Sequence, residues 1–373
     1  MEEVFTTGKN RLSSSIGRWA GVGPYYAMFP ISFAFDIVEK YCPPQGAVLD
    51  PFAGRGSSVY AASATERFGC GIEINKVGWV YGSAKLSPAP VDQVLARNEE
   101  IDALSNTISE NEIDSLPAFF QHCFTIPVLK YLLSMRHNLD WENNQTDRTL
   151  VAITLIYLHG AKEKSLSNQM RQGKSMSQEY SIKWWQDHNS LPLDINPAKF
   201  MEQRIRWRYA KGVLVGHPSR VYLGNSSSEL EKIKHSVAIG EIPKFDLLFT
   251  SPPYFNVTSY YYDQWLRLWL LGEGAIPTKS GGEWQNGFWS KSGYIELLED
   301  IFSKSAELLK STAKIYIRTD AREFTKKTTL EALKRTFPYK KMEVIPAPLS
   351  KSSQTALYGD KSKKPGEIDI YLC

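Results

Sequence analysis

Two segments of this chain combine residue types and spacings that suit chemistry on a small ligand. In FDLLFTSPPYF (245–255) an apolar run ends abruptly in Ser251-Pro252-Pro253-Tyr254. Successive prolines stiffen the backbone and carry no N–H, so carbonyls in such a turn stay free to accept hydrogen bonds. A hydroxyl, a carbonyl and an aromatic ring side by side suit a planar heterocycle bearing an exocyclic amine. Ser251 Oγ and the Pro252 carbonyl would accept the two N–H bonds and localise the nitrogen lone pair, while Tyr254 stacks on the ring. Read alone, the four residues also fit a plain strand-ending Pro-Pro turn with an exposed tyrosine.

Upstream, AVLD (47–50) is a short apolar run ending in Asp50, followed by the glycine-rich turn PFAGRGSS. Gly54 and Gly56 can take positive φ and let backbone approach a ligand. The helix start that follows favours an electronegative group. FGCGIEIN (68–75) is a second strand ending in Glu73, placed to accept from both hydroxyls of a ribose. In a parallel α/β sheet both acids would face one crevice at the carboxyl ends of the strands. A generic Rossmann-like turn or a dinucleotide cradle is the competing reading. The spacing is not GxGxxG, and Pro51-Phe52 stand where a pyrophosphate cradle wants glycine, which favours S-adenosylmethionine. By themselves these residues indicate a nucleoside site and leave the cofactor open.

The elements that must position them follow an α/β order. Residues 24–42 begin in a proline turn and continue as an amphipathic helix with Phe33, Ile37 and Val38 on one face. The unit strand, glycine turn, helix, strand then spans 47–75, as in a doubly wound sheet. From 76 to 219 strand signals are scarce and helical ones dominate, at 127–137 and 148–164, with a polar span at 163–185. Strands resume at 220–224 and 245–250. A helix at 258–271, a Gly/Trp/Ser loop at 272–292, a helix at 294–310, a strand at 313–320 and a helix at 325–337 follow. KMEVIPA and EIDIYLC would close the sheet as an antiparallel hairpin. The expected organisation is a discontinuous catalytic domain (1–75 and 220–373) and a largely helical insertion (76–219).

Composition bounds the class. The 373 residues have net charge +4, 42% hydrophobic and 23% charged residues, an ordinary globular balance that permits nucleic-acid binding without demanding it. The N-terminus has no signal-peptide core and no apolar run reaches membrane-spanning length, so a cytoplasmic protein with no membrane partner is expected. The four cysteines (Cys42, Cys70, Cys123, Cys373) are scattered without a CxxC pair. None follows a proline at a strand end, where a nucleophile attacking C6 of cytosine would sit. The six histidines show no HxxxH or HExxH spacing, and no metal site is expected. His159, in LIYLHGAKE, reads as a satisfied helix-end residue.

Taken together, DPFAGRG, GIEIN and TSPPY resemble the motifs of amino-group (N4-cytosine/N6-adenine) DNA methyltransferases. AMFPISFAFDIVEKY resembles the helix that precedes the family's cofactor motif, with Phe29-Pro30, and VYLGNSSS its third motif, with Asn225 where an Asp usually contacts adenine. The resemblance covers about 24–75 and 220–373. It implies a Rossmann-like S-adenosylmethionine-dependent methyltransferase fold, mostly parallel with a C-terminal antiparallel hairpin. It implies a cofactor site built from Phe29, Pro30, Asp50, Phe52, Ala53, Gly54, Gly56, Ser57, Glu73 and Asn225. Catalysis would fall to Ser251, Pro252, Pro253 and Tyr254. The cofactor motif precedes the catalytic one, as in the family's α arrangement, which places target recognition between them. Ser251 in the first catalytic position goes mainly with N4 of cytosine; N6 of adenine and RNA amines are the alternatives, and a non-catalytic nucleic-acid-binding module is a third. Double-stranded DNA is the implied partner, with a cognate restriction endonuclease as candidate companion, in a bacterial or archaeal cytoplasm.

Within the insertion, MEQRIRWRYAKG (201–212) sets Arg204, Arg206, Arg208 and Lys211 around Trp207 and Tyr209, which suits phosphate contacts or a solvated helix face. Asn168, Gln169, Arg171 and Lys174 are side chains able to read base edges. Tyr260, Tyr261, Tyr262 and Trp265 are expected mostly in the core, with one or two lining the base pocket. Trp284, Phe288 and Trp289 suit a lid or DNA-inserting loop.

Overall fold

The computed structural model describes residues 14–24, 29–214, 216–256, 260–277, 290–347 and 366–373. Trp284, Phe288 and Trp289 lie outside the described residues. The chain divides into two compact units, one of Met1–Tyr26, Ser83–Leu214 and Ser259–Lys279, the other of Ala27–Gly82, Val215–Thr258 and Ser280–Cys373.

The second unit is built on one seven-stranded sheet. Its strands are β1 (Ala47–Asp50), β2 (Phe68–Glu73), β3 (Arg220–Leu223), β4 (Phe245–Thr250), β5 (Leu309–Asp320), β6 (Met342–Ala347) and β7 (Glu367–Leu372), in the spatial order β3-β2-β1-β4-β5-β7-β6. The first five pair in parallel, and β7 runs antiparallel to both β5 and β6. Every residue of β1, β2 and β4 is buried. This is why they read as unbroken apolar runs: central parallel strands are covered on both faces. The core packs Leu49, Ile72, Leu248, Ile315 and Ile370 of the sheet with Leu230, Leu298, Phe302 and Leu333 of the helices. The sheet and its closing hairpin match the expectation. The helix expected at 294–310 ends at Leu308, and β5 starts at once at Leu309, four residues earlier than expected.

The order of strands fixes where a ligand can sit. From β1 the chain steps outward to β2 and β3, then returns to the other side of β1 as β4 and continues to β5. The carboxyl ends of β1 and β4 therefore flank the topological switch point, where α/β sheets bind ligands. Pro51 follows one and Ser251 the other.

The first unit is helical. Val91–Ser105, Ile126–Asn138, Gln145–Tyr157 and Pro197–Tyr209 are its longer helices. Its bounds differ from the expected 76–219: it spans Ser83–Leu214 of that segment, leaves 76–82 and 215–219 to the other unit, and adds Met1–Tyr26 and Ser259–Lys279. Within it Trp265 meets Phe119 edge-on at 4.9 Å and Trp269 lies 4.6 Å from Phe120. Arg267, wholly buried there, donates from Nε to the Leu155 carbonyl (2.9 Å) and from a terminal nitrogen to the Gln172 carbonyl. The helix expected over 258–271 is two short ones, Tyr260–Asp263 and Trp265–Leu270. No helix among the described residues is long and apolar enough to cross a membrane.

Candidate active site

Asp50 ends β1 with its carboxylate fully buried. Oδ1 accepts from the Phe52 N–H (3.1 Å) and from Thr250 Oγ1, and Oδ2 accepts from Ser58 Oγ. Burial outweighs these three donors and pushes its pKa up to about 6. The sequence places this acid facing the crevice. In the structure its oxygens are engaged by the protein, and it ties the glycine turn, the helix Ser57–Ala64 and the last residue of β4 into one corner. Thr250 immediately precedes Ser251, so the same carboxylate holds the start of the SPPY turn against the glycine turn.

The turn itself is held by backbone bonds. The Ala53 N–H donates to the Ile72 carbonyl (2.9 Å) and the Gly56 N–H to the Ala53 carbonyl (2.7 Å). Ser226 Oγ donates to the Pro51 carbonyl (2.6 Å). Gly56, at φ +71°, caps the helix Ser57–Ala64, and a Cβ there would lie 3.1 Å from the Gly82 Cα. Gly54, at φ +55°, differs: a Cβ there meets nothing within 4 Å, so its outer face is open space. One glycine serves packing and the other leaves room.

Glu73 ends β2 at the same edge. Its Oε2 accepts from the Gly54 N–H (2.7 Å) and Oε1 from the Asn75 N–H (2.8 Å). Each oxygen has a second lone pair for a ligand hydroxyl. Burial pushes this carboxyl up to about 8 despite both donors. Beside it, Asn75 is 1% exposed. Its Oδ1 accepts from the Val77 N–H (2.9 Å), while its Nδ2 has no hydrogen-bond partner among the described residues. An orphaned buried amide next to a carboxyl with free lone pairs and an open glycine face fits a nucleoside such as the adenosyl part of S-adenosylmethionine. Glu73, Asn75 and Gly54 are the residues that would hold it, together with the uncapped N–H groups of the helix Ser57–Ala64. Ser57 Oγ accepts from Arg55 Nε (3.1 Å), and Phe52 packs partly buried against the core.

Phe29 and Pro30 lead into the helix Ile31–Tyr41, with Pro30 at its N-cap. The Phe29 ring stacks on Phe249 of β4 at 4.8 Å, which lays this segment over the strand carrying SPPY. Asn225 is an exposed N-cap, its side chain accepting from the Ser227 N–H (2.9 Å).

In the SPPY turn Ser251 is half-buried, Pro252 and Pro253 are buried, and Tyr254 is 7% exposed. The Tyr254 hydroxyl donates to Glu367 Oε1 (2.8 Å) at the start of β7. Glu367 lies 3.9 Å from Arg318, which grips Asp369 with two bonds of 2.6 and 2.7 Å and stacks over Phe33 at 3.6 Å. Sequence reasoning missed this support. The signal was available only as acids alternating along EIDIYL, where a closing strand has no generic need for charge.

Of the residues expected to touch DNA, several belong to the fold instead. Asn168 is fully buried; its Nδ2 donates to the His122 and Ser190 carbonyls and its Oδ1 accepts from Ser190 Oγ. Arg208 is 3% exposed, bonded to the Arg18 carbonyl and 5.1 Å from the Trp207 ring. Arg204 stacks on Phe200 and Tyr157. Gln169, Arg171, Arg206 and Lys211 are exposed, and Lys174 pairs with Asp263 at 3.1 Å. His159 is buried and held neutral, its Nδ1 2.7 Å from the Arg171 carbonyl and its Nε2 3.3 Å from Ser175 Oγ. Trp265 lies in the helical core.

A seven-stranded sheet in this order with β7 alone reversed, carrying a glycine turn after β1 and an acid at the end of β2, is the fold of S-adenosylmethionine-dependent methyltransferases. A family model for N6- and N4-directed enzymes, described as "DNA methylase", matches residues 2–77. That match contains DPFAGRG and GIEIN and ends before TSPPY. No curated protein matches the chain. Two solved structures of the rRNA methyltransferase aviRa from Streptomyces viridochromogenes are similar at 10% and 11% identity, covering 96% of this chain and 92% of theirs, with TM-scores of 0.36 and 0.35. Scores of that size add nothing to what the strand order shows.

Proposed function

We propose that this chain methylates the exocyclic amino group of a base in duplex DNA, with N4 of a flipped-out cytosine as target. The observation that carries the reading is the shared corner at the switch point. The Asp50 carboxylate joins the nucleoside-binding turn to Thr250, one residue before SPPY, so both motifs open at one sheet edge. Bound S-adenosylmethionine would supply an electrophilic methyl group there. Glu73, Asn75 and the Gly54 backbone orient the cofactor. Ser251 Oγ and the Pro252 carbonyl accept the amine's hydrogens and direct its lone pair, and Tyr254, anchored by Glu367, stacks on the base. No covalent enzyme intermediate is needed, in keeping with three buried cysteines and an exposed one at the terminus.

The choice of cytosine rests on Ser251 in the first position of the turn. The matching family model spans both N4 and N6 enzymes, so adenine is the second reading. Gln169, Arg171, Lys174, Arg206 and Lys211 are the candidate DNA contacts of the helical unit. Base-resolution methylation sequencing of DNA from cells expressing the chain gives base and site together. N4-methylcytosine in a fixed sequence context supports the full reading. N6-methyladenine keeps the chemistry and changes the base, and label entering only RNA removes DNA as substrate.

A further inference from the structure

The helical unit contains a cavity of about 220 Å³ lined by Gln169, Met170, Arg171, Met176, Tyr180, Ser181, Trp184 and Trp185. Its walls are flat or polarisable. Trp184 is partly exposed and stacks on His188 at 4.1 Å, Tyr180 is 54% exposed, and Met170 is buried. Trp185 is locked by its indole N–H donating to the Gln169 carbonyl (2.7 Å). Ser181 is 4% exposed, lies on the helix Gln178–Asp187, and its hydroxyl has no hydrogen-bond partner among the described residues. A serine inside a helix satisfies itself either in solvent or on the carbonyl four residues back. A buried hydroxyl left unpaired costs stability, which a ligand atom would recover.

We propose that this cavity receives a single unstacked nucleobase, stacked against Trp184 and Tyr180 and hydrogen-bonded by Ser181 Oγ. The inference deepens the reading of the chain as a DNA-modifying enzyme by assigning a nucleotide-binding subsite outside the catalytic turn. Size fits one heterocycle and not a peptide segment. Charge fits a phosphodiester chain: Arg171 lines the cavity, and the segment 162–183 that forms its walls also carries Lys162, Lys164, Lys183 and Lys174, the last paired with Asp263, against Glu163 and Glu179. Aromatic walls with a basic rim are how single-stranded nucleic acid is held.

The test uses the full chain and needs no methyl transfer. The protein is irradiated with a single-stranded 12-mer carrying one 5-iodouracil, and separately with free 5-iododeoxyuridine monophosphate, and crosslinked peptides are sequenced. Crosslinks from the 12-mer should map to Tyr180 or Trp184. The free nucleotide arm distinguishes a base held as part of a strand from a soluble nucleotide at the same walls. Ser181→Ala should weaken 12-mer binding, read by fluorescence anisotropy, about fivefold to tenfold, the loss of one buried hydrogen bond. Ser181→Leu, which fills the cavity, should abolish the crosslink, and Trp184→Ala, which tolerates truncation at a partly exposed site, should reduce binding similarly. Crosslinks elsewhere, or Ser181→Leu and Trp184→Ala binding the 12-mer as the parent does, would overturn the proposal. A protein that crosslinks at Tyr180 yet methylates nothing would sink the proposed function and leave this site standing, and the reverse outcome would do the opposite.

Discussion

Cofactor binding should release a proton, and Glu73 is the group that gives it up. Burial raises this carboxyl to about 8, because only two backbone N–H groups compensate its lost hydration. At pH 7 an acid with that pKa is about nine-tenths protonated. Two ribose hydroxyls donating to its oxygens favour the charged form and pull the pKa down. Binding near pH 7 should therefore expel up to about one proton, and affinity should rise with pH, by at most about tenfold per unit, until it levels off above about 8. Isothermal titration calorimetry in phosphate and in Tris at one pH reads the proton directly from the difference in apparent enthalpy. Glu73→Gln keeps the shape and cannot titrate. Its amide nitrogen also faces a backbone N–H that loses an acceptor, at a cost of about 1–3 kcal/mol. Protons exchanged by the cofactor's own amino group appear equally in both proteins, so the difference belongs to Glu73. Equal proton release by parent and variant, with affinity flat from pH 6 to 9, would show that Glu73 is not the proton donor.

Other expectations follow from the same geometry. Gly54→Ala should lose most cofactor affinity, since its Cβ enters open ligand space, at a stability cost of about 1–2 kcal/mol for an L side chain at positive φ. Gly56→Ala carries the same backbone cost and adds a Cβ 3.1 Å from the Gly82 Cα, so its melting temperature should fall further; calorimetry and thermal melts separate the two. Thr250→Val removes one donor from buried Asp50 and should cost about 1–3 kcal/mol in urea unfolding. Tyr254→Phe and Glu367→Ala both break the same bond, so each should lower kcat with little change in cofactor affinity, and the double variant should lose little more than either alone. Without cofactor, the folded state holds protons on Asp50 and Glu73 that the unfolded chain has already released. Their contribution to stability is complete at the acid end and is lost as pH rises through about 6 and then about 8, so the melting temperature of Glu73→Gln should fall less than the parent's between pH 6 and 8.

How much of this was legible in the sequence depended on the range of the contacts. AVLD, FGCGIE and FDLLFT are unbroken apolar runs between turn signals, and their order alone implied a doubly wound, mostly parallel sheet. The hairpin of β6 and β7 was equally visible. The fate of Asp50 was not, because its partner Thr250 lies 200 residues away and a short strand ending in an acid looks the same whether the acid meets a ligand or a threonine. Asn168 and Arg208 sit in polar, basic stretches that suggest solvent, yet the chain folds back over both and each donates to a backbone carbonyl. The packing of 260–277 within the helical unit rests on Trp265 and Trp269 meeting Phe119 and Phe120, pairs separated by some 150 residues that no local periodicity encodes.

Methyl transfer to an exocyclic amine of DNA can be read from purified protein incubated with methyl-labelled S-adenosylmethionine and unmethylated duplex DNA, followed by digestion to nucleosides. Label should appear in N4-methyldeoxycytidine and disappear with Ser251→Ala. Label in 5-methyldeoxycytidine, or DNA left unlabelled by protein that binds the cofactor, would contradict the account.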